Sequence, residues 1–448
     1  MEAEVAQEVP EGFKLTEIGL LPEEWQVVPL GKVLASNKLA LNPQDCVDEL
    51  FEYYSIPAYQ ISNQPGLEKG GQIRSQKLLV ESGTVLFGKL NPRVPKVWLV
   101  SSDSGKRKIA STEFIPMLPV QGRIVSRFLY YLAWSDHLMP KAQELISGST
   151  PSRQRVDVRA FLGVRIPLPP VDEQQAIARV LAAIQRAIEA TDRVIAAARQ
   201  LKRSLMRHLF TYGPVPIAEA ERVPLKGTEI GPVPQHWDVV RLEQCATVQT
   251  GVAKGRKLSP SDRTVSVPYL RVANVQAGYL DLSEIKDITI REAELPRYRL
   301  EAGDVVLTEG GDFDKLGRGF IWRNEIPGCV HQNHIFAVRA KRKVVSPEYL
   351  ACLIQSQHSR SYFLTVAHRT THLACINTRK LKALPLLIPC SDDQARIVET
   401  LSAIDTKIEV EEKRKAALKE LFRTMLHLLM KGQVRVKDWH GADAKEVT

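Results

Sequence analysis

Two long stretches of the chain carry apolar residues in alternating steps of four and three. In the first, Ile177, Leu181, Ile184 and Ile188 lead through Thr191, Ile195, Ala198 and Lys202 to Leu205 and Leu209. In the second, Ile397, Leu401, Ile404 and Ile408 lead through Glu411 and Lys415 to Leu418, Phe422, Met425 and Leu429. A sustained 4-3 spacing is the seam of a coiled coil. Each stretch predicts a helix of roughly 40 residues, on the order of 60 Å at 1.5 Å per residue. Asp172 with Gln175, and Ser391 with Gln394, stand as N-cap and N3 pairs just after a proline-bearing turn. Gly213-Pro214 and Gly432 stand where such helices stop. A seam this long needs a partner, and the only matching seam in the chain is the other copy.

Between these stretches the pattern shortens. Thr84-Val85-Leu86-Phe87, Val97-Trp98-Leu99-Val100, Val305-Val306-Leu307 and Ile335-Phe336-Ala337-Val338 read as strands separated by Gly, Pro and Asn. Helical stretches near Phe128–His137 and Pro347–His358 close each half. The halves repeat one another. Thr16-Glu17-Ile18-Gly19, Pro22, Trp25 and Val27-Val28 return at a constant offset as Thr228-Glu229-Ile230-Gly231, Pro234, Trp237 and Val239-Val240. Pro169, Glu173-Gln174, Ile177 and Leu181 return, at a slightly larger offset, as Pro389, Asp393-Gln394, Ile397 and Leu401. This is a duplicated module, not a short-period solenoid.

The expected organisation is a first mixed α/β module (1–168), a helix (169–213), a second module (214–388), a second helix (389–432) and a tail (433–448). Each module feeds the start of one helix, and the first helix ends at the second module. The helices must therefore run antiparallel with a module at each end, a pseudo-twofold dumbbell. The fold class is α/β in the mixed α+β sense.

Composition adds a partner class. Sixty-one basic against 51 acidic residues give a net charge of +10, compatible with plain solubility or with a polyanionic partner. Six scattered cysteines without a C-x-x-C pair read as reduced, mostly buried thiols. The acidic N-terminus is unlike a signal peptide, and no apolar run reaches about 18 residues. A soluble, cytoplasmic protein is expected.

Enzymatic motifs fail one by one. Gly251-Val-Ala-Lys-Gly255-Arg-Lys257 lacks the spacing of a phosphate-binding loop. Asn91-Pro92-Arg93 lacks the second proline and the aromatic residue of an amino-methyltransferase tetrapeptide. Glu284-Ile285-Lys286 and Asp312-Phe313-Asp314-Lys315 are too common as strings to define a nuclease, and the ten histidines show no ligand spacing. No metal site and no cofactor of the chain's own is expected.

Cationic and amide side chains in turns fit a DNA-reading surface better. In the first module these are Lys89, Arg93, Lys96, Arg107 and Arg153; in the second, Lys254, Arg256, Lys257, Arg271, Asn274, Arg318, Gln332, Asn333 and Arg369. Lys and Arg neutralise phosphates, while Arg, Asn and Gln can pair with base edges in the major groove. Any one of them can equally be a solvated surface charge or a hydrogen bond within its module.

These features together resemble the specificity subunit of type I restriction–modification systems. The resemblance rests on the Thr-Glu-Ile-Gly…Pro…Trp opening of each half and on Pro268-Tyr-Leu-Arg271-Val-Ala-Asn274. Ile166-Pro-Leu-Pro-Pro170-Val-Asp-Glu-Gln174, with its coiled-coil continuation, completes it. It implies two target-recognition domains on antiparallel helices, reading a bipartite sequence in double-stranded DNA. It also implies two methyltransferase subunits using S-adenosylmethionine, and restriction subunits using ATP and Mg²⁺, with no catalysis in this chain. The competing readings are a self-contained DNA modification or cleavage enzyme, and a coiled-coil scaffold. Asp393, where the resemblance calls for the Glu found at Glu173, puts an identical role for the two acids in doubt.

Overall fold

A computed structural model describes residues 9–36, 39–101, 104–148, 150, 153–255, 257–311, 316–369 and 374–436. The chain forms two compact units. One comprises residues up to Asp192 together with those from Lys413 onward; the other is Arg193–Glu412. Each unit holds one mixed α/β module, one end of each long helix, and its own core.

The repeated opening segment is a strand pair and a return strand. In the first unit Phe13–Thr16 pairs antiparallel with Gly19–Pro22, and in the second Leu225–Thr228 pairs with Gly231–Pro234. The threonine explains the motif: Thr16 Oγ1 donates to Gly19 O at 2.6 Å and accepts from Ile18 N, and Thr228 does the same with Gly231 and Ile230. The next strand then meets the strand that closes the module. Gln26–Pro29 pairs with Arg165–Leu168, with Val28 opposite Ile166. Asp238–Arg241 pairs with Pro385–Ile388, with Val240 opposite Leu386. The two ends of each repeat are thus joined, and everything between them is a long excursion from this frame.

That excursion contains small sheets whose order is set by long-range register. In the first module the order is Ala40–Leu41, Lys77–Val80, Lys108–Ala110, Leu50–Tyr54, Gly66–Lys69, beside the antiparallel trio Phe114–Met117, Val85–Gly88, Val97–Leu99. In the second, Ala246–Thr250, Ile335–Ala340, Val305–Thr308 and Gly319–Ile321 form one sheet, and Lys286–Arg291, Thr264–Leu270 and Val330–His331 another. The helices Ser126–Trp134 and Pro347–Ile354 cover the central strands, close to the predicted stretches.

The long helices are Val171–Tyr212 and Ser391–Met430. Every seam position read from the 4-3 spacing is buried or half-buried, while its neighbours are mostly exposed. Within the first unit Ile177 and Leu181 share a core with Leu426 and Leu429, and within the second Leu209 shares one with Ile397 and Leu401. Start therefore meets end in each unit, as antiparallel helices require. Lys202 and Lys415, the charged residues on the seam, form interhelical ion pairs: Lys202 Nζ to Asp405 at 2.6 Å, and Lys415 to Asp192. Off the seam, the apolar Val194 and Leu201 of the first helix are exposed. Val180 is not; it packs on the core of the first module.

The helix starts correct one expectation. Gln174 N donates to Pro170 O and Gln394 N to Cys390 O, so Pro170 and Cys390 are the caps, and Asp172 and Ser391 lie inside the first turn. Asp172 and Asp392 still favour the positive end of the helix dipole. Gln394 is no capping partner. Its Nε2 donates to Pro389 O and Val344 O, and its Oε1 accepts from Ser346 N. Gln174 repeats this on Pro169 O, Arg123 O and Val125 N at 2.8–3.0 Å. A buried amide that satisfies three backbone groups fastens the helix start to the module.

Beside it lies a second lock. The buried Trp25 donates its Nε1 to Glu173 Oε2 at 2.8 Å, and Trp237 donates to Asp393 Oδ2 at 3.2 Å. The shorter acid keeps the role at longer reach. The far ends of the helices abut the same indoles. Gly213 and Gly432 have φ of +83° and +66°, and a Cβ on Gly432 would lie 2.5 Å from Pro22 Cδ and 3.4 Å from Trp25. Only glycine combines that turn with that approach.

Candidate nucleic-acid interface

One loop cluster recurs at the same place in both modules. In the first, the loop after strand Val85–Gly88 is sewn to the segment before helix Val158–Gly163. Lys89 N donates to Glu113 O, Val156 N to Lys89 O, and Asn91 N to Gln154 O, while Leu90 pairs with Arg155. In the second, Glu309 N donates to His334 O, Ile376 N to Glu309 O, and Gly310 pairs with Cys375. Lys89 and Glu309 thus occupy equivalent sites in the two repeats, as do Arg155 and Cys375.

The backbone agrees but the chemistry differs. In the first module Lys89, Arg93 and Arg153 lie on or beside these two joined segments, with Arg93 and Arg153 exposed. Arg155 donates to Glu113 through Nε and Nη2 at 3.1 and 2.9 Å. These bonds hold the Glu113 carboxyl below the usual carboxylate range, and the charge of Lys89 adds to the effect. Glu113 is thus a neutralised acid beside cations on the joined segments, chemistry suited to phosphate.

In the second module Glu309 Oε2 meets His334 Nδ1 at 2.7 Å, and Asn333 Nδ2 lies 3.4 Å from His334 Nε2. Arg318 joins the cluster, since Thr308 N donates to its carbonyl, and its Nη1 donates to Gln276 Oε1. Lys254 and Lys257 are exposed in the loop after Val252, which pairs with Gln332 and accepts from Asn333 N. Arg271 is half-buried and donates to Glu284 O.

Several expected contacts are engaged elsewhere. Lys96 is 5% exposed, with Nζ donating to Val94 O at 2.7 Å, and burial pushes its pKa down. Asn274 is 3% exposed and spends its amide on Asp281 O, Glu284 O and Arg271 N. Both are internal braces, not groups available to DNA. Gln332 Oε1 accepts from Val272 N. Arg107 pairs with Glu49 at 3.2 Å over the Phe51 ring, outside the loop cluster. Arg256 and the side chain of Arg369 lie outside the described residues, as do Asp312, Phe313, Asp314 and Lys315.

The cluster also holds two acids, Glu113 and Glu309, which a pattern of cationic and amide residues does not single out. The signal that finds them is positional: each lies on the backbone pairings that recur in both modules, Glu309 at the counterpart of Lys89. Among the described residues no group of three His, Cys, Asp or Glu is placed to hold a metal ion. Glu284 is exposed and paired with Lys286 and Arg271 rather than with a second carboxylate. The six cysteines are free; burial raises Cys245 to about 11 and Cys329 to about 12, whereas Cys375 and Cys390 are exposed. No helix among the described residues is long and apolar enough to cross a membrane.

A duplicated α/β module, each copy closed by a tryptophan–acid lock at a long-helix start and displaying an equivalent variable loop cluster, defines a tandem recognition protein. The sequence matches the type I restriction modification DNA specificity domain over residues 22–198 and again over 234–420, and the chain belongs to that family. It is 24% identical over 432 residues to the type I restriction enzyme MjaVIII specificity subunit of Methanocaldococcus jannaschii, covering 96% of this chain and 97% of that one. It is 21% identical over 420 residues to the EcoKI specificity subunit of Escherichia coli (strain K12), covering 88% and 85%. In fold it is similar to a solved chain from work on complex assembly and conformational transition of the type I R-M system. The TM-score is 0.54 at 20% identity, over 92% of this chain and 99% of that one.

Proposed function

We propose that this chain reads a two-part DNA sequence for a type I restriction–modification complex and catalyses nothing itself. Each module takes one half of the target through its loop cluster. The observation that carries this reading is the recurrence of one loop cluster at one place in a duplicated frame, with different side chains in each copy. A shared function with two specificities needs that combination. Lys89, Arg93, Arg153, Lys254 and Lys257 supply phosphate contacts that set register, and cluster side chains meet base edges.

Two methyltransferase subunits dock along the long helices, where Val194, Leu201, Val410 and Leu421 present exposed apolar surface. They bring S-adenosylmethionine; restriction subunits, where present, bring ATP and Mg²⁺. The complex works in the cytoplasm. The test is the chain co-purified with its cognate methyltransferase subunits, titrated with DNA fragments at several salt concentrations. Binding should be sequence-specific and weaken steeply with salt, and methyl transfer should require the partners. Methyl transfer or cleavage by the purified chain alone would overturn the reading.

A further inference from the structure

Glu309 is an acid set in a surface that, on the reading above, faces a polyanion. A carboxylate there is repelled by phosphate, whereas a base amino group is a donor it can accept from. Its backbone is fixed on both sides, through Glu309 N to His334 O and Ile376 N to Glu309 O, each at 2.9 Å. Its side chain is oriented as well. With Nδ1–H donating to Glu309 Oε2 at 2.7 Å, His334 keeps Nε2 as an acceptor facing the Asn333 amide at 3.4 Å. The chain of donors runs from Asn333 to His334 to Glu309. It ends on a carboxylate whose other oxygen, Oε1, makes no hydrogen bond among the described residues. The Glu309 side chain is 30% exposed and that of His334 57%, so the pair lies at the surface.

An ionised carboxylate only accepts. In the major groove, donors are the N4 amino group of cytosine and the N6 amino group of adenine. Adenine also presents the N7 acceptor, which opposes a carboxylate, whereas cytosine presents its donor alone. We propose that Glu309, oriented by His334, is a specificity-determining residue that recognises one cytosine in the half-site read by the second module. Lys89, its counterpart in the first module, cannot read that base, so the two halves differ at this position. This inference rests on the DNA-reading assignment proposed above.

The experiment uses the assembled complex with its methyltransferase subunits and its own target, found by mapping methylated sites in cells expressing it. Each cytosine of the second module's half-site is replaced in turn by 2-pyrimidinone, which lacks the N4 amino group. One replacement should weaken wild-type binding on the order of tenfold or more. The same replacement should matter little to Glu309→Gln, whose preference at that position should move toward adenine, with the other half-site unchanged. If specific binding exists but no cytosine is sensitive, or the sensitive one is equally sensitive in Glu309→Gln, the inference is wrong and the DNA-reading assignment stands. If the complex shows no sequence-specific binding at all, the assignment itself fails. Should Glu309→Gln not assemble, the wild-type scan decides: no sensitive cytosine overturns the proposal, and one sensitive cytosine supports it.

Discussion

Arg435→Ala should loosen the first unit. The guanidinium donates from Nε to Glu173 Oε1 at 2.6 Å, and from Nη2 to Glu173 Oε2 at 3.0 Å and Glu24 Oε2 at 2.7 Å. Glu24 is half exposed, so its share is about 1 kcal/mol at most. Glu173 is different, being 1% exposed with Trp25 as its other donor. Removing one partner of a buried pair costs roughly 3–5 kcal/mol, because the remaining charge stays desolvated. Arg435 is itself 25% exposed, and water can enter where it leaves, which reduces the expected loss to about 2–3 kcal/mol.

Urea unfolding would register this as a lower midpoint for the first unit. Hydrogen exchange would place it at the Phe13–Pro22 strand pair and the first turns of helix Val171–Tyr212. The double variant Glu173→Gln/Arg435→Ala is the control. A neutral amide can still accept from Trp25 and carries no stranded charge, so about half of the loss should return. A loss below about 0.5 kcal/mol, or a double variant no better than Arg435→Ala, would refute the account of Glu173 as a buried charge held by its partners.

Three further outcomes are expected. Lys89→Ala/Arg93→Ala/Arg153→Ala should weaken DNA binding without changing base preference and flatten the dependence of log K on log salt by about 0.9 per phosphate no longer neutralised; an unchanged slope removes these residues from the backbone interface. Replacing residues 225–388 by the matching segment of a relative should change one half of the methylated target only, so a chimera altering both halves contradicts independent reading. His331 is fully buried, and burial lowers its pKa to about 4. Its neutral form is favoured by folding, so its contribution is complete above about pH 6.5 and is lost as pH falls toward 4, by about 3 kcal/mol in all. Urea midpoints for wild type and His331→Gln across that window should diverge, and parallel curves would show that His331 is not the titrating group.

The helices and the duplication were legible because both are local or periodic. A 4-3 spacing states which face is buried, and the structure buries that face at Ile177, Leu181, Ile397 and Leu401. Strand order was not legible, since pairing Gln26–Pro29 with Arg165–Leu168 depends on segments far apart in the chain. Gln394 departs from the local pattern for a related reason. Its spacing from Ser391 fits a capping box, but a module loop offers Val344 O and Ser346 N, and tertiary bonding displaced the local one. Lys96 and Asn274 mark the limit of residue-type reasoning. A polar side chain in a turn faces water only if no backbone group nearby is left unsatisfied, and here Val94 O and Asp281 O were.

Two kinds of position can be told apart in the repeat. Frame positions keep both residue and geometry: Thr16 and Thr228 on their turns, Trp25 and Trp237 on their acids, Gln174 and Gln394 on their loops. Even the exchange of Glu173 for Asp393 is absorbed by a longer bond, 3.2 Å against 2.8 Å. Cluster positions keep geometry and change residue: Lys89 becomes Glu309, and Arg155 becomes Cys375, on the same backbone pairings. A frame that holds its loops by backbone hydrogen bonds leaves their side chains free to vary without cost to folding. That freedom is what a recognition module requires. The residues that decide a target are therefore best sought where the frame superposes and the side chains do not.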